Sequence, residues 1–174
     1  MRGVLPALSA ALFLAGCVST PVPLPADCRG TLPVVVALGA RPDAALLAAA
    51  TAPPGQGRLC GGRTFVVLEP LTVYRLADST RPSSEFGAWW SLERPVETRE
   101  QYRRKYAICE GWSALDRLVT CSVQPGTPLV LGPGQSVAAC PPPQQAGLPQ
   151  TEAIQVFLPG DEKRFLACSS TSWP

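Results

Sequence analysis

Arg75, Ser91 and Gln135 are the side chains in this sequence best suited to chemistry, and what the chain lacks decides which kind. It has no histidine. Ser-His-Asp and Cys-His arrangements need an imidazole to carry a proton, so both are excluded. No Cys-x-x-Cys pair occurs either, so a zinc site has no donor set and no metal is expected. Any chemistry must run on electrostatics, hydrogen bonding and carboxylates. Three stretches offer it: Thr72-Val73-Tyr74-Arg75, a strand ending in a cation; Gly87-Ala88-Trp89-Trp90-Ser91-Leu92-Glu93-Arg94-Pro95; and Gly132-Pro133-Gly134-Gln135-Ser136, a tight turn presenting an amide.

Each stretch has a structural reading beside the chemical one. Leu71, Val73 and Arg75 share one face of a strand, with Thr72, Tyr74 and Leu76 on the other. Arg75 therefore extends an apolar stripe, where a cation needs a cleft, or an ion pair with Asp78 or Glu85. Trp89 and Trp90 cannot share a strand face. One enters the core and the other packs on a helix, a loop or a ligand. Ser91 is placed either at a cleft or as a plain strand-end hydroxyl, and Gln135 either at a site or as an exposed turn amide.

The elements that must position these groups are strands separated by turns, with two helices. Apolar β-branched runs predict strands at Val34–Leu38, Thr64–Leu68 and Leu71–Leu76, the last two broken by Pro70. Pro42–Ala50 predicts a helix, with proline in its first turn and alanine-rich sequence after it. Thr98-Arg99-Glu100-Gln101 fits a capping box, and Tyr102 and Tyr106 then lie on one helical face. Arg103-Arg104-Lys105 reads as that helix's solvated face. Arg117–Val123, Pro128–Leu131 and Ala153–Leu158 complete the strands, and Pro159-Gly160-Asp161-Glu162 predicts a terminal hairpin into Arg164–Cys168. The fold class is α+β, mostly antiparallel β with two short helices and disulfide staples.

The beginning of the chain speaks about location. Arg2 and the short apolar run Val4–Ala15 form a leader, closing in Leu14-Ala15-Gly16-Cys17, which matches the lipobox of bacterial lipoproteins. The match implies cleavage before Cys17, acylation of that residue and anchoring to a membrane. Val18 in place of aspartate favours the outer membrane, so the expected setting is the cell envelope, periplasmic or surface-facing. Residues 17–27, with alternating prolines at Pro21, Pro23 and Pro25, make a semi-rigid tether, and a single globular domain spans 28–174. In an exported chain Cys28, Cys60, Cys109, Cys121, Cys140 and Cys168 predict disulfides. Six cysteines allow fifteen connectivities, and the simplest is sequential: Cys28–Cys60, Cys109–Cys121, Cys140–Cys168. The net charge of +2 argues against an electrostatically driven nucleic-acid partner.

In order and setting, Val73-Tyr74-Arg75, Trp89-Trp90-Ser91 and Gly134-Gln135-Ser136 resemble the ADP-ribosyltransferase-like domains of bacterial toxins and NAD glycohydrolases, over roughly Leu71 to Ala139. The resemblance implies a two-sheet core with NAD as substrate. It further implies that Arg75, with Tyr74, Trp89 and Trp90, binds the dinucleotide, while Ser91 and Gln135 serve the reaction. Gln135 stands where transferases to protein side chains carry glutamate, which fits hydrolysis better than transfer. The alternative is a non-catalytic envelope module that binds a protein partner or acts as an immunity-type inhibitor.

Overall fold

The computed structural model describes residues 24–159 and 162–174. The leader and Cys17 lie outside the described residues. Ten strands and two helices follow in order: β1 Leu38–Ala40, α1 Ala44–Ala50, β2 Arg63–Val67, β3 Leu71–Ala77, β4 Trp89–Ser91, α2 Arg99–Tyr106, β5 Arg117–Val123, β6 Pro128–Pro133, β7 Val137–Ala139, β8 Ala146–Leu148, β9 Ile154–Phe157 and β10 Phe165–Ser172. Eight strands form one sheet in the order β1-β2-β6-β9-β4-β3-β5-β10, and β7 and β8 form a separate two-stranded ribbon. Every registered strand pair is antiparallel.

One face of the sheet builds the main core from Val73, Trp90, Val119, Leu131 and Val156. The opposite face meets α2 through Leu76, Leu118, Tyr102 and Tyr106. Helix α2 starts as its sequence predicts. The Thr98 hydroxyl accepts from the Gln101 amide, and the Gln101 side chain accepts from the Thr98 N–H. Its two tyrosines pack with tilted rings, centroids 4.6 Å apart. The basic run is more engaged than a solvated face: Arg103 donates to the carbonyls of Cys109 and Ser113, and Lys105 pairs with Glu93 and Glu97.

Three expectations are corrected. The apolar run at residues 34–38 is not a buried strand. Val34 and Val36 are 86% and 95% exposed, and pairing to β2 begins only at Leu38. The terminal hairpin does not form. Strand β9, buried along most of its length, inserts between β6 and β4, while the Ser/Thr-rich β10 takes the exposed sheet edge beside β5. That arrangement sets Cys168 directly opposite Cys121. The disulfides are therefore Cys28–Cys60, Cys109–Cys140 and Cys121–Cys168, and only the first of the sequential pairs is present.

Candidate functional site

Strands β3 and β4 share a single registered pair, Tyr74 with Ser91, and beyond it the sheet splits. The side chain of Arg75 fills the split. Its Nε donates to the Ser84 carbonyl and its Nη1 to the Trp89 carbonyl, both at 2.7 Å. The guanidinium packs so closely on Gly87 that a Cβ there would lie 2.5 Å from Nη2.

Neither acidic neighbour pairs with this cation. Asp78 accepts from the Thr80 hydroxyl and from the backbone amides of Thr80 and Ala114, and its nearest cation is Arg81. Glu85 pairs with Arg117 at 3.2 Å. Among the described residues Arg75 has no carboxylate partner, and burial pulls its pKa below the ordinary arginine value. A cation in this condition is an unusual feature, because withdrawing a charge from water is costly unless a counter-charge meets it.

The guanidinium borders a cavity of about 200 Å³. Trp89, Tyr106 and Trp112 wall it with aromatic surface, Gln135 and Gln155 also line it, and Arg58 supplies a second cation. Among the described residues, no aspartate or glutamate lines it. Trp89 is held by Phe157, its centroid 4.9 Å away, while Trp90 turns into the core, 2% exposed, with its indole N–H donating to the Gly87 carbonyl at 2.7 Å. The two tryptophans thus divide between core and cavity, as strand alternation requires.

The predicted site residues divide too. Arg75, Trp89 and Gln135 meet at the cavity; Tyr74, Trp90 and Ser91 do not line it. Ser91 is fully buried and donates to the Glu93 carbonyl at 2.8 Å, with the Tyr74 carbonyl at 3.3 Å. Gln135 is 3% exposed, not a displayed turn amide. Its Oε1 accepts from the Ser136 N–H at 2.8 Å, and its own N–H donates to the Arg58 carbonyl at 2.8 Å.

Gln155 is a cavity residue that sequence reasoning missed, as are Arg58 and Trp112. It stands on β9 opposite Ser91 on one side and Gly132 on the other, 8% exposed, with Nε2 donating to the Tyr106 carbonyl at 3.3 Å. Gly134 lets the Gln135 loop close over it, since a Cβ at Gly134 would lie 2.6 Å from Nε2 of Gln155. The available signal was an amide inside the otherwise apolar Ile-Gln-Val-Phe strand. Arg58 and Trp112 had no such signal. Arg58 comes from a loop and Trp112 from a short 3-10 turn, and only the folded chain brings them to the cavity.

The arrangement can receive an anion at Arg75, stack a flat ring on an indole, and hold a hydroxyl or amide with two glutamines. No family model matches the sequence, and no curated protein matches it. Among solved structures, a chain from the structure of Tne2 in complex with Tni2 matches with a TM-score of 0.47 and 14% identity, over 71% of this chain and 98% of that one.

Proposed function

We propose that this chain is an envelope lipoprotein, anchored through Cys17, whose domain binds and hydrolyses NAD at an ADP-ribosyltransferase-like site. The observation that carries the reading is Arg75: a partly buried guanidinium that, among the described residues, has no carboxylate partner and sits at the wall of a cavity lined by no acidic group. Its Nη2 makes no hydrogen bond among the described residues, so it has capacity for a phosphate oxygen beyond the two carbonyls it already holds. The indole of Trp89 offers a face for the nicotinamide.

The reaction suits a site without histidine. The bond from ribose C1′ to the nicotinamide nitrogen breaks, and its electron pair leaves with neutral nicotinamide. The oxocarbenium-like ribose takes a water oxygen at C1′, and the water proton passes to solvent. Such a transition state gains from fixed dipoles more than from proton transfer. An amide oxygen accepting from a ribose hydroxyl does that work; Gln155 stands on a central strand, whereas the Gln135 Oε1 already accepts from the Ser136 N–H. Gln135 closes the cavity from its loop.

Calorimetry with NAD on the oxidised protein, together with a nicotinamide-release assay, tests this reading. Binding and release are expected, and Arg75→Lys should weaken binding by about 1.5–3 kcal/mol, the range for a hydrogen bond to a charged group. Absence of heat at millimolar NAD would sink the enzymatic reading and leave a non-catalytic envelope module. The anchor has its own check: mass spectrometry of the membrane fraction should find a mature chain beginning at acylated Cys17. An intact Met1 would overturn it.

A further inference from the structure

The cavity holds two guanidiniums at different depths. Arg75 is wedged into the sheet, whereas Arg58 is exposed. Arg58 is held in place by its backbone. It adopts the left-handed conformation at φ 63°, directly after Gly57 at φ 70°. Its carbonyl accepts from the Gln135 N–H at 2.8 Å. A left-handed backbone is strained for a residue with a side chain, and persists only when its surroundings fix it. One Nη donates to the Ala49 carbonyl at 3.2 Å, which sets the guanidinium and leaves its other donors without a partner among the described residues. Trp112 stands beside it, 44% exposed, its ring 3.7 Å from where a Gly57 Cβ would be.

Size divides the ligand between these two levels. At about 200 Å³ the cavity is smaller than the roughly 300–1,000 Å³ that encloses a drug-sized molecule. It therefore takes the nicotinamide riboside end, with Arg75 at the pyrophosphate, and the adenosine end lies across the rim. There it meets an indole and an arginine without a carboxylate partner among the described residues. We infer that Arg58 and Trp112 form a second subsite, in which Trp112 stacks the adenine and Arg58 binds an additional phosphate on the adenosine ribose. The preferred substrate is then the 2′-phosphorylated dinucleotide, NADP, over NAD. This inference rests on the nucleotide reading of the same cavity.

Calorimetry with NAD and NADP on the full oxidised protein in detergent separates the two claims. Wild type should bind NADP about tenfold tighter than NAD, the effect of one charge-assisted contact at an exposed rim. Arg58→Gln keeps the backbone demand and should abolish the difference, lowering NADP affinity about tenfold more than NAD affinity. Because the Arg58 contact is open to solvent, the NADP advantage should also shrink as salt is raised. Trp112→Ala should weaken both ligands alike. Equal binding of NAD and NADP by wild type, or an equal loss of both in Arg58→Gln, overturns the subsite and leaves the nucleotide reading standing. An unaltered Trp112→Ala removes the stacking half. Failure of every protein to bind either dinucleotide overturns the nucleotide reading and this inference together.

Discussion

Arg75 gives Trp89 the hydrogen bond that the ladder between β3 and β4 does not. Nη1 reaches the Trp89 carbonyl at 2.7 Å across a gap where the two strands have only one registered pair. The cation is thereby part of the sheet and part of the cavity at once. This answers the puzzle of a charged residue at the end of an apolar stripe: it is neither ion-paired nor simply exposed, because backbone carbonyls in the split receive it.

Gly87→Ala tests that relationship without touching the arginine. The new methyl would sit 2.5 Å from Nη2 and 2.6 Å from the central guanidinium carbon, so the group must leave its carbonyls. A fall in Tm matching about 1–3 kcal/mol is expected, with nucleotide affinity falling too. Wild-type affinity in a correctly folded Gly87→Ala protein would show that the Arg75 position does not matter for binding.

The two glutamines should separate in kinetics. Gln155→Ala removes an amide from the cavity wall and should lower the rate of nicotinamide release with little change in KM, the pattern of a contact that strengthens in the transition state. Gln135→Ala leaves the Ser136 N–H without its acceptor and should cost about 1–2 kcal/mol of stability. Unfolding curves and steady-state rates on the pair decide it; a reversed pattern would assign the reaction to Gln135.

Stability should fall at both ends of the pH scale for named reasons. Burial, reinforced by neighbouring Tyr106, raises the Tyr102 hydroxyl above its ordinary range. A raised folded pKa adds stability that is complete below the unfolded value of about 10 and is lost as pH climbs above it. Asp78 is the reverse case. The hydrogen bond from the Thr80 hydroxyl is the largest influence lowering its pKa, so its contribution is complete above about pH 4 and is lost as pH falls. Urea midpoints across pH should lose part of their alkaline slope in Tyr102→Phe and part of their acid slope in Asp78→Asn. Unchanged slopes would contradict these assignments.

The three disulfides should not be equivalent. Cys109–Cys140 joins the segment after α2, which carries Ile108, Trp112 and Ser113 of the cavity wall, to the residue following β7. Cys121–Cys168 staples β10 to β5 at the sheet edge. Removing either pair as a double Cys→Ser variant should cost about 2–4 kcal/mol. Only the Cys109–Cys140 variant should also lose ligand affinity. Equal affinity in the two variants would mean that the wall is held without its covalent tie.

Local signals in the sequence survive into the fold, and long-range ones do not. The Thr98 capping box, the tyrosine pair on α2 and the division of labour between Trp89 and Trp90 depend only on helical and strand geometry. Strand order is another matter. Nothing in Ile154–Phe157 says that it enters between β4 and β6, and with that insertion both the terminal hairpin and two of the sequential disulfides disappear. The site follows the same rule. Arg75 and Trp89 are legible because they are near neighbours in one supersecondary unit, whereas Gln155 and Arg58 come from opposite ends of the domain. Gln135 is a particular case: a Pro-Gly turn suggests exposure, but the turn folds back onto Gln155 and the Arg58 loop, burying the amide.

The Cys28–Cys60 bond has a mechanical consequence. It spans 32 residues and joins the start of the described chain to a position two residues beyond Arg58. A pull arriving along the proline-rich segment therefore bypasses β1, whose three-residue pairing with β2 would peel first, and enters the domain at Cys60. There the Cys60 N–H is bonded to the Pro133 carbonyl at the end of β6, in the middle of the sheet. Tension is then delivered to the sheet's interior beside the cavity rim, and the segment between the two cysteines, with β1 and α1, lies outside the line of force.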